Sequence, residues 1–185
     1  PGFARVLIMT PTRELAYQVF EQAQQLIAGT DLHAGVITGG VNYGSHKETL
    51  TKNNDILVAT PGRLIEYLDN ETFMADEVEV LILDEADRML DMGFVGEMNR
   101  IIDEAKRRRQ TLLFSATLEG IGIRRFAERA LKEPLQLEAD PPRRERGKIT
   151  QWIHLADDAA HKLALLVHLL KQEDVKKAIV FVKTR

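Results

Sequence analysis

Residues 80–87 read VLILDEAD, and the fold of this chain of 185 residues follows most directly from them. An apolar run from Val80 to Leu83 is followed at once by two adjacent carboxylates, Asp84 and Glu85. An apolar run that does not alternate with polar residues is typical of a parallel strand covered on both faces. Such a strand delivers its two carboxylates to the carboxyl edge of the sheet, where open α/β sheets bind ligands.

Further apolar runs surround this segment and alternate with helical patterns. The predicted strands are residues 5–9, 34–38, 55–59, 78–84 and 110–114, and the fourth of them contains the apolar run that precedes Asp84. Amphipathic spacing predicts helices between and after them, at residues 12–27, 64–68, 94–105 and 121–131. Alternating strands and helices joined by right-handed crossovers predict an α/β fold, an open parallel sheet with helices on both faces.

Composition and charge exclude several classes of protein. Hydrophobic residues make up 44% and charged residues 29%, which are the proportions of a globular protein. The absence of cysteine excludes a disulfide framework and a thiolate metal site. No apolar run approaches the roughly 18 residues of a membrane span, so we expect a soluble, cytoplasmic protein. Because the net charge is −3, bulk charge does not attract a polyanion, and any polyanion must be bound by individual groups at a specific site. The basic clusters at 106–109 and 143–148 are interpreted as solvated surface or linker.

The composition changes near residue 140. Residues 140–148, DPPRRERGK, contain no residue to bury in a core, and Pro-Pro resists both helix and central strand. We therefore predict a linker at 140–148 between a first domain, residues 1–139, and a second α/β unit, residues 149–185. In that unit the pattern predicts strands at 150–155 and 178–182, a helix at 159–171, and Trp152 in a core. One strand, one helix and one strand cannot cover a sheet, so only the beginning of a second domain is expected.

Two strand-to-helix junctions share one pattern, TPTR at residues 10–13 and TPGR at residues 60–63. Thr can cap a helix and Pro suits its first turn, which leaves backbone N–H groups facing outward at the positive end of the helix dipole. The Arg adds a forked donor suited to phosphate. The alternative is a pair of well-capped helices, with Arg63 paired to a carboxylate. The repetition at one sheet edge favours a surface for a chain of phosphates.

Three other strand ends carry candidate chemistry. Gly39 and Gly40 can form a tight turn or let a backbone approach a ligand closely. The DEAD segment at residues 84–87 follows an apolar strand, which is the arrangement of a Walker-B strand. In that arrangement the first acid holds Mg²⁺ and the second orients an attacking water. The alternative is a strand followed by acidic residues that cap a helix. The hydroxyls of Ser115 and Thr117 could sense a γ-phosphate or link the acidic strand to a moving partner, or Thr117 could cap a helix that begins near residue 119.

Together, these segments resemble the motifs of the DEAD-box RNA helicases. Their order and spacing match motifs Ia, GG, Ib, II and III of that family, and the resemblance covers essentially the whole chain. The segments are PTRELA at 11–16, GG at 39–40, TPGR at 60–63, DEAD at 84–87 and SAT at 115–117. The resemblance implies a RecA-like fold for the first domain, a second RecA-like domain that begins after the linker, and ATP and Mg²⁺ as cofactors.

The resemblance also implies a role for each matched residue. Asp84 would coordinate Mg²⁺ and Glu85 would position the hydrolytic water. Asp87, Ser115 and Thr117 would couple the nucleotide site to RNA and to the second domain. The residues implied to contact the sugar-phosphate backbone of RNA are Pro11, Thr12, Arg13, Gly39, Gly40, Thr60, Gly62 and Arg63.

The implied function is local unwinding of RNA duplexes coupled to ATP hydrolysis. Within the family the chain is most similar to a bacterial member that assists assembly of the large ribosomal subunit. Ribosomal RNA and large-subunit assembly intermediates are therefore the implied partners.

The chain departs from the family pattern in one respect that matters for catalysis. It contains no G-x-x-x-x-G-K-[ST] phosphate loop, and Gly147-Lys148 is followed by Ile. We therefore expect a portion of a longer protein that does not hydrolyse ATP by itself. A missing phosphate-loop strand beside the DEAD and SAT strands is expected to leave unpaired backbone in the core. The alternative function is a non-enzymatic RNA-binding or assembly module.

Overall fold

The computed structural model describes residues 1–139, 150–173 and 175–182. Its strands are β1 (Phe3–Met9), β2 (Ala34–Ile37), β3 (Asn53–Ala59), β4 (Val80–Leu83) and β5 (Gln110–Leu113). Its α-helices are α1 (Arg13–Leu26), α2 (Lys47–Thr51), α3 (Pro61–Asp69), α4 (Ala86–Asp91), α5 (Val95–Glu104), α6 (Ile121–Ala130) and α7 (Ala159–Leu170). A single 3₁₀ turn, Tyr43–His46, precedes α2.

The strands form one parallel sheet with the order β2-β3-β1-β4-β5. The predicted α/β fold with an open parallel sheet is therefore confirmed. Right-handed crossovers put α1 on one face of the sheet and α2, α3 and α5 on the other, and α3 packs against α5. Because all strands run the same way, their carboxyl ends meet at one edge.

The two faces of the sheet are not equally covered. In β3, the consecutive residues Leu57, Val58 and Ala59 are all fully buried, as expected between two helical layers. In β1, β2 and β4 buried residues mostly alternate with partly exposed ones, and none of the four residues of β5 is buried. The expectation of burial on both faces is thus wrong for these four strands. The reason is that β2 and β5 are the edge strands of the described sheet, and that α1 packs chiefly on β2 and β3 rather than on β1 and β4.

The strands that end in DEAD and SAT are direct neighbours. β4 pairs with β5 from Val80 opposite Gln110 to Leu83 opposite Leu113. In the described sheet β5 has β4 as its only partner, so its other side is an open edge, and the adjoining Phe114 is 53% exposed. The unpaired backbone expected in the core is therefore found at the rim of the sheet.

The chain divides into two compact units, Pro1–Gln136 and Leu137–Arg185. In the second unit the predicted helix is confirmed as α7, whose first turn is capped by Asp158 through the N–H of His161. The predicted strands at 150–155 and 178–182 are wrong, because these segments pair with no other strand in the described part of the chain. A strand needs a ladder partner, and without one Trp152 is 79% exposed rather than in a core. The predicted linker at 140–148 lies outside the described residues.

Two short helices, α2 and α4, lie outside the predicted helical ranges, and α4 follows β4 where the alternative interpretation of the acidic segment places a helix. Helices of five or six residues complete fewer than two turns, so their apolar spacing has no visible period. No helix within the described residues is both long and apolar enough to cross a membrane.

Candidate functional site at the carboxyl edge of the sheet

The structure brings all the segments with candidate chemistry to the carboxyl edge of the sheet. Along that edge the strands β2, β3 and β1 lead into Gly39-Gly40, TPGR and TPTR, and the strands β4 and β5 lead into DEAD and SAT. The edge therefore has two neighbouring parts. One carries backbone amides, hydroxyls and arginines, and the other carries carboxylates and hydroxyls.

The glycine pair contacts both of the repeated junctions. The Gly39 N–H donates a hydrogen bond to Thr60 Oγ1 at 3.1 Å. Gly40 has a φ of +74°, in the left-handed region that favours glycine. A Cβ at this position would lie 3.7 Å from the Nη1 atom of Arg13. Three segments that are distant in sequence thus meet at one place.

The two junctions differ in how their helices begin. Thr12 caps α1, since its Oγ1 accepts a hydrogen bond from the Leu15 N–H at 3.3 Å. The capped-helix interpretation is thus confirmed for α1. It is wrong for the Thr60 side chain, whose hydroxyl bonds to Gly39 instead of to α3. At the start of α3, Pro61 occupies the first turn, and a Cβ on Gly62 would meet no atom within 4 Å.

The side chains of the two junction arginines differ in exposure and in partners. The Arg13 side chain is 48% exposed and makes a 3.5 Å ion pair with Glu14. The Arg63 side chain is 9% exposed, donates to the Val41 carbonyl at 3.0 Å and pairs with Glu66 at 2.8 Å. The pairing of Arg63 with a carboxylate is therefore confirmed, and of the two guanidinium groups that of Arg13 faces solvent.

The acidic strand ends in a strained turn. Asp84 Oδ1 accepts a hydrogen bond from the Glu85 N–H at 3.0 Å, and burial raises the pKa of Asp84. Glu85 has a φ of 47°, which is unusual for a residue with a side chain and is typical of functional turns. The Glu85 side chain does not cap α4 and instead pairs with Arg88 at 3.2 Å. For Glu85 the helix-capping interpretation is therefore wrong.

Hydrogen bonds join the DEAD and SAT segments. Asp87 Oδ2 accepts from the Thr117 N–H at 3.2 Å, and the Ala86 N–H donates to the Phe114 carbonyl at 2.9 Å. Ser115 Oγ donates to the Thr117 carbonyl at 2.5 Å. Since α6 begins only at Ile121, with Gly120 at its cap position, Thr117 is not a helix cap. The structure thus joins Asp87, Ser115 and Thr117 in one network.

No group of three or more His, Asp or Glu side chains could together hold a metal ion within the described residues. A cation at this edge would depend on Asp84, the half-buried carboxylate at the end of β4, with its other ligands supplied by water or phosphate.

The basic cluster at residues 106–109 lies at the protein surface, as predicted, and its arginines contact neighbouring residues there. Arg107 pairs with Glu77 at 2.6 Å, Arg109 pairs with Glu79, and Arg108 donates to the Ala105 carbonyl at 3.0 Å. This cluster precedes β5 and therefore lies at the amino edge of the sheet, opposite the candidate site. The cluster at 143–148 lies outside the described residues.

Sequence reasoning missed His46, which bonds to Thr38, the residue before the glycine pair. His46 is 3% exposed, and its Nε2 accepts a hydrogen bond from the Thr38 N–H at 3.3 Å. Its Nδ1 lies 2.8 Å from the Tyr67 hydroxyl, and burial, followed by the charge of Arg63, lowers the pKa of His46. A single His in a short polar turn carries no sequence signal, although Tyr67 on the buried face of α3 marks where a buried polar partner could lie.

Comparison with known proteins agrees with the geometry of this edge. Residues 2–126 match the family model of the DEAD/DEAH box helicases. The chain is 55% identical over 184 residues to the ATP-dependent RNA helicase SrmB of Escherichia coli (strain K12), and 51% identical over 185 residues to SrmB of Haemophilus influenzae. Both alignments cover 100% of this chain, but only 41% and 42% of the relatives. The chain thus spans about two-fifths of their length.

Solved structures give the same result. A hypothetical ATP-dependent RNA helicase from Sulfolobus tokodaii matches with a TM-score of 0.70 and 33% identity, over 74% of this chain and 40% of that one. The yeast DEAD-box splicing factor Prp28 matches with a TM-score of 0.64 and 35% identity, over 70% of this chain and 31% of that one. The parallel sheet is therefore of the RecA-like type. The chain belongs to the DEAD/DEAH box helicase family.

Proposed function

We propose that this chain is part of an ATP-dependent RNA helicase, in which it binds the RNA backbone and couples ATP hydrolysis to local unwinding of RNA duplexes. The observation that carries the proposal is the pairing of β1 with β4, which sets the TPTR segment beside the DEAD segment. An RNA strand held at the first part of the edge therefore lies one strand away from the carboxylates that act on the nucleotide.

The proposed RNA surface consists of the segments around the glycine pair. Arg13 offers an exposed guanidinium, and Gly39, Gly40 and Gly62 allow a phosphate to approach the backbone. Pro11, Thr12, Thr60 and Arg63 complete the surface. Since the Arg63 guanidinium is bound inside the protein, we propose that its backbone N–H, in the first turn of α3, makes the RNA contact. Contacts of this kind do not depend on base sequence.

The proposed nucleotide chemistry depends on Asp84 and Glu85. The carboxylate of Asp84 fits Mg²⁺, which is commonly held by one or two carboxylates together with substrate phosphates. Burial raises the pKa of Asp84, and a nearby cation would favour its ionised form. Glu85, at the exposed turn that follows, would orient the attacking water. A phosphate loop does not occur in the 185 residues, so the proposal assigns that loop to residues outside them.

Coupling is proposed to pass through Asp87, Ser115 and Thr117. The Asp87 carboxylate accepts the Thr117 N–H, so a change in the DEAD turn alters the SAT segment directly. The proposed domain organisation is a first helicase domain at residues 1–139, a linker at 140–148 and the beginning of a second RecA-like domain at 149–185.

We further propose a role in assembly of the large ribosomal subunit in the cytoplasm, with ribosomal RNA and assembly intermediates as partners. The similarity to SrmB over the whole of this chain supports this assignment.

RNA-stimulated ATP hydrolysis by the full-length protein tests the proposal. Glu85→Gln should lower the hydrolysis rate by about a hundredfold or more, because the attacking water loses the carboxylate that orients it. Glu21→Gln makes the same chemical change at an exposed position of α1 and should leave the rate unchanged. Hydrolysis that Glu85→Gln does not reduce would contradict the role of Glu85.

One observation favours a second candidate function, a non-enzymatic RNA-binding or assembly module. The segments proposed to face RNA are all present in the chain, whereas the phosphate loop is not. RNA binding that is independent of ATP, in a full-length protein without ATPase activity, would favour the module. Competition between RNA and DNA of the same sequence tests the RNA assignment for both candidates.

A further inference from the structure

A buried group of side chains supports the GG loop, defined as residues 38–46. It lies between this loop and α3, and the proposed RNA and nucleotide contacts do not use its side chains. His46 and Tyr67, each 3% exposed, form its centre. A hydrogen-bonded polar pair buried this deeply fixes the arrangement of the segments that it joins.

The hydrogen bonds of His46 determine its tautomer. A backbone N–H can only donate, so Nε2, which receives the Thr38 N–H, carries no proton. The proton of the neutral imidazole is then on Nδ1, where it is donated to the Tyr67 hydroxyl. Tyr67 therefore holds His46 in the form that can accept from Thr38.

Other contacts join the middle of the GG loop to α3. The Val41 carbonyl accepts from Arg63, and the Arg63 guanidinium lies 4.2 Å from the centre of the Tyr43 ring. The Tyr43 hydroxyl donates to Glu66 at 2.8 Å. The loop and α3, which carry the GG and TPGR segments, are thus joined along the length of the loop.

The hydrogen bond of the Thr38 N–H lies next to the glycine pair in the chain. Thr38 directly precedes Gly39, whose own N–H is bonded to Thr60, and Gly40 has a left-handed conformation. The two glycines have few conformational restraints of their own, so hydrogen bonds to their neighbours set the direction of their peptide groups.

We propose that His46 is a positioning residue for RNA binding, which orients the Gly39-Gly40 turn by accepting the hydrogen bond of the Thr38 N–H. The inference rests on the proposed RNA-binding function of this turn. His46 does not touch RNA. It sets the geometry of backbone groups that do, and its effect belongs to RNA affinity rather than to the chemical step.

The test uses the full-length protein and a single-stranded oligouridylate as the RNA probe. In His46→Leu the ring is replaced by an apolar side chain that offers no acceptor, and RNA affinity should fall by about tenfold. In His46→Gln the amide oxygen can still accept the Thr38 N–H, and affinity should stay within about threefold of the native protein. The RNA concentration that half-saturates ATP hydrolysis should rise in His46→Leu, while kcat at saturating RNA should not change.

A pH profile gives a second readout. The titratable and charged groups that surround the imidazole are Tyr67 and Arg63, both on α3, and Glu66 is already bound by Arg63 and Tyr43. The pKa of His46 lies below its ordinary value of 6.5, so the ring is neutral at pH 7. As the pH falls below 6.5 toward that lowered pKa, Nε2 becomes protonated and can no longer accept. RNA affinity of the native protein should therefore fall in this range, and that of His46→Gln should show a smaller fall.

The outcomes separate the two proposals. A native protein that does not bind the probe overturns the proposed function itself. A native protein that binds, together with a folded His46→Leu of equal affinity, overturns the role of His46 alone. Equal losses in His46→Leu and His46→Gln also overturn it, because the acceptor would then not matter. If His46→Leu does not fold, identical pH profiles for the native protein and His46→Gln overturn it.

Discussion

At the scale of single residues, two buried threonines of the site differ in the hydrogen bonding of their hydroxyls. Thr38 is fully buried, and its Oγ1 has no hydrogen-bond partner among the residues described. Thr60 is 8% exposed, and its Oγ1 accepts from the Gly39 N–H. A buried polar group without a partner is destabilising, whereas a bonded one is stabilising. The same chemical change should therefore have opposite effects at the two positions.

Thr→Val replaces the hydroxyl by a methyl group of similar size. We expect Thr38→Val to raise the free energy of unfolding by about 1 kcal/mol, and Thr60→Val to lower it by about 1 kcal/mol. Chemical denaturation of the two variants and the native protein measures both effects. Destabilisation by Thr38→Val would show that its hydroxyl has a partner in solution.

At the scale of elements, the periodicity of apolar residues predicts the strands of the sheet and the longer helices. The strands β1 to β5 and the helices α1, α3, α5 and α6 follow from apolar spacing, and their predicted ranges overlap the observed ones. The strand predictions in the second unit were wrong, because pairing depends on a partner that local sequence does not reveal. His46 was missed for a related reason, since its role arises from contacts with Thr38 and α3.

Strand β2 contains a glycine for a steric reason. A Cβ at Gly35 would lie 2.6 Å from both Asn54 Oδ1 and Thr49 Cγ2. Asn54 is 6% exposed and donates to the Thr49 carbonyl at 2.9 Å, so it cannot move away without losing that bond.

Gly35→Ala should lower the free energy of unfolding by about 1–3 kcal/mol, because the added methyl overpacks the site. The same substitution at Gly122 in α6, where a Cβ would meet no atom within 4 Å, should raise it by about 0.5–1 kcal/mol. Thermal unfolding of the two variants measures the difference. A stable Gly35→Ala protein would mean that Asn54 can rearrange at little cost.

At the scale of the whole molecule, the positions of the exposed arginines matter more for binding a polyanion than the net charge does. The chain carries a net charge of −3, and the arginines that precede β5 at the amino edge are paired with Glu77 and Glu79. At the carboxyl edge, the ion pair of Arg13 within the described part of the chain is a 3.5 Å contact with Glu14 on its own helix. A polyanion is therefore expected to interact with the edge where β2, β3 and β1 end.

This arrangement predicts a difference between two exposed arginines. Arg13→Ala should weaken binding of single-stranded RNA by about tenfold at low salt and make the salt dependence less steep, since one phosphate contact is lost. Arg107→Ala removes the same charge at the opposite edge and should change the affinity by less than about twofold. Titration of RNA at several salt concentrations separates the two cases, and equal losses would mean that bulk charge governs binding.

The order of the strands in the sheet also determines the order in which a growing chain can assemble it. β1 is synthesised before the other four strands and lies at the centre, so β3 and β4 can each join a strand that is already present. β2 is the exception, because its only neighbour in the described sheet, β3, is made after it. At roughly 5–20 residues per second, β2 waits about 1–4 s until Ala59 has been added. During that interval β2 has no strand partner, and α1, which is made before it and packs on it, is an element available to cover its apolar residues.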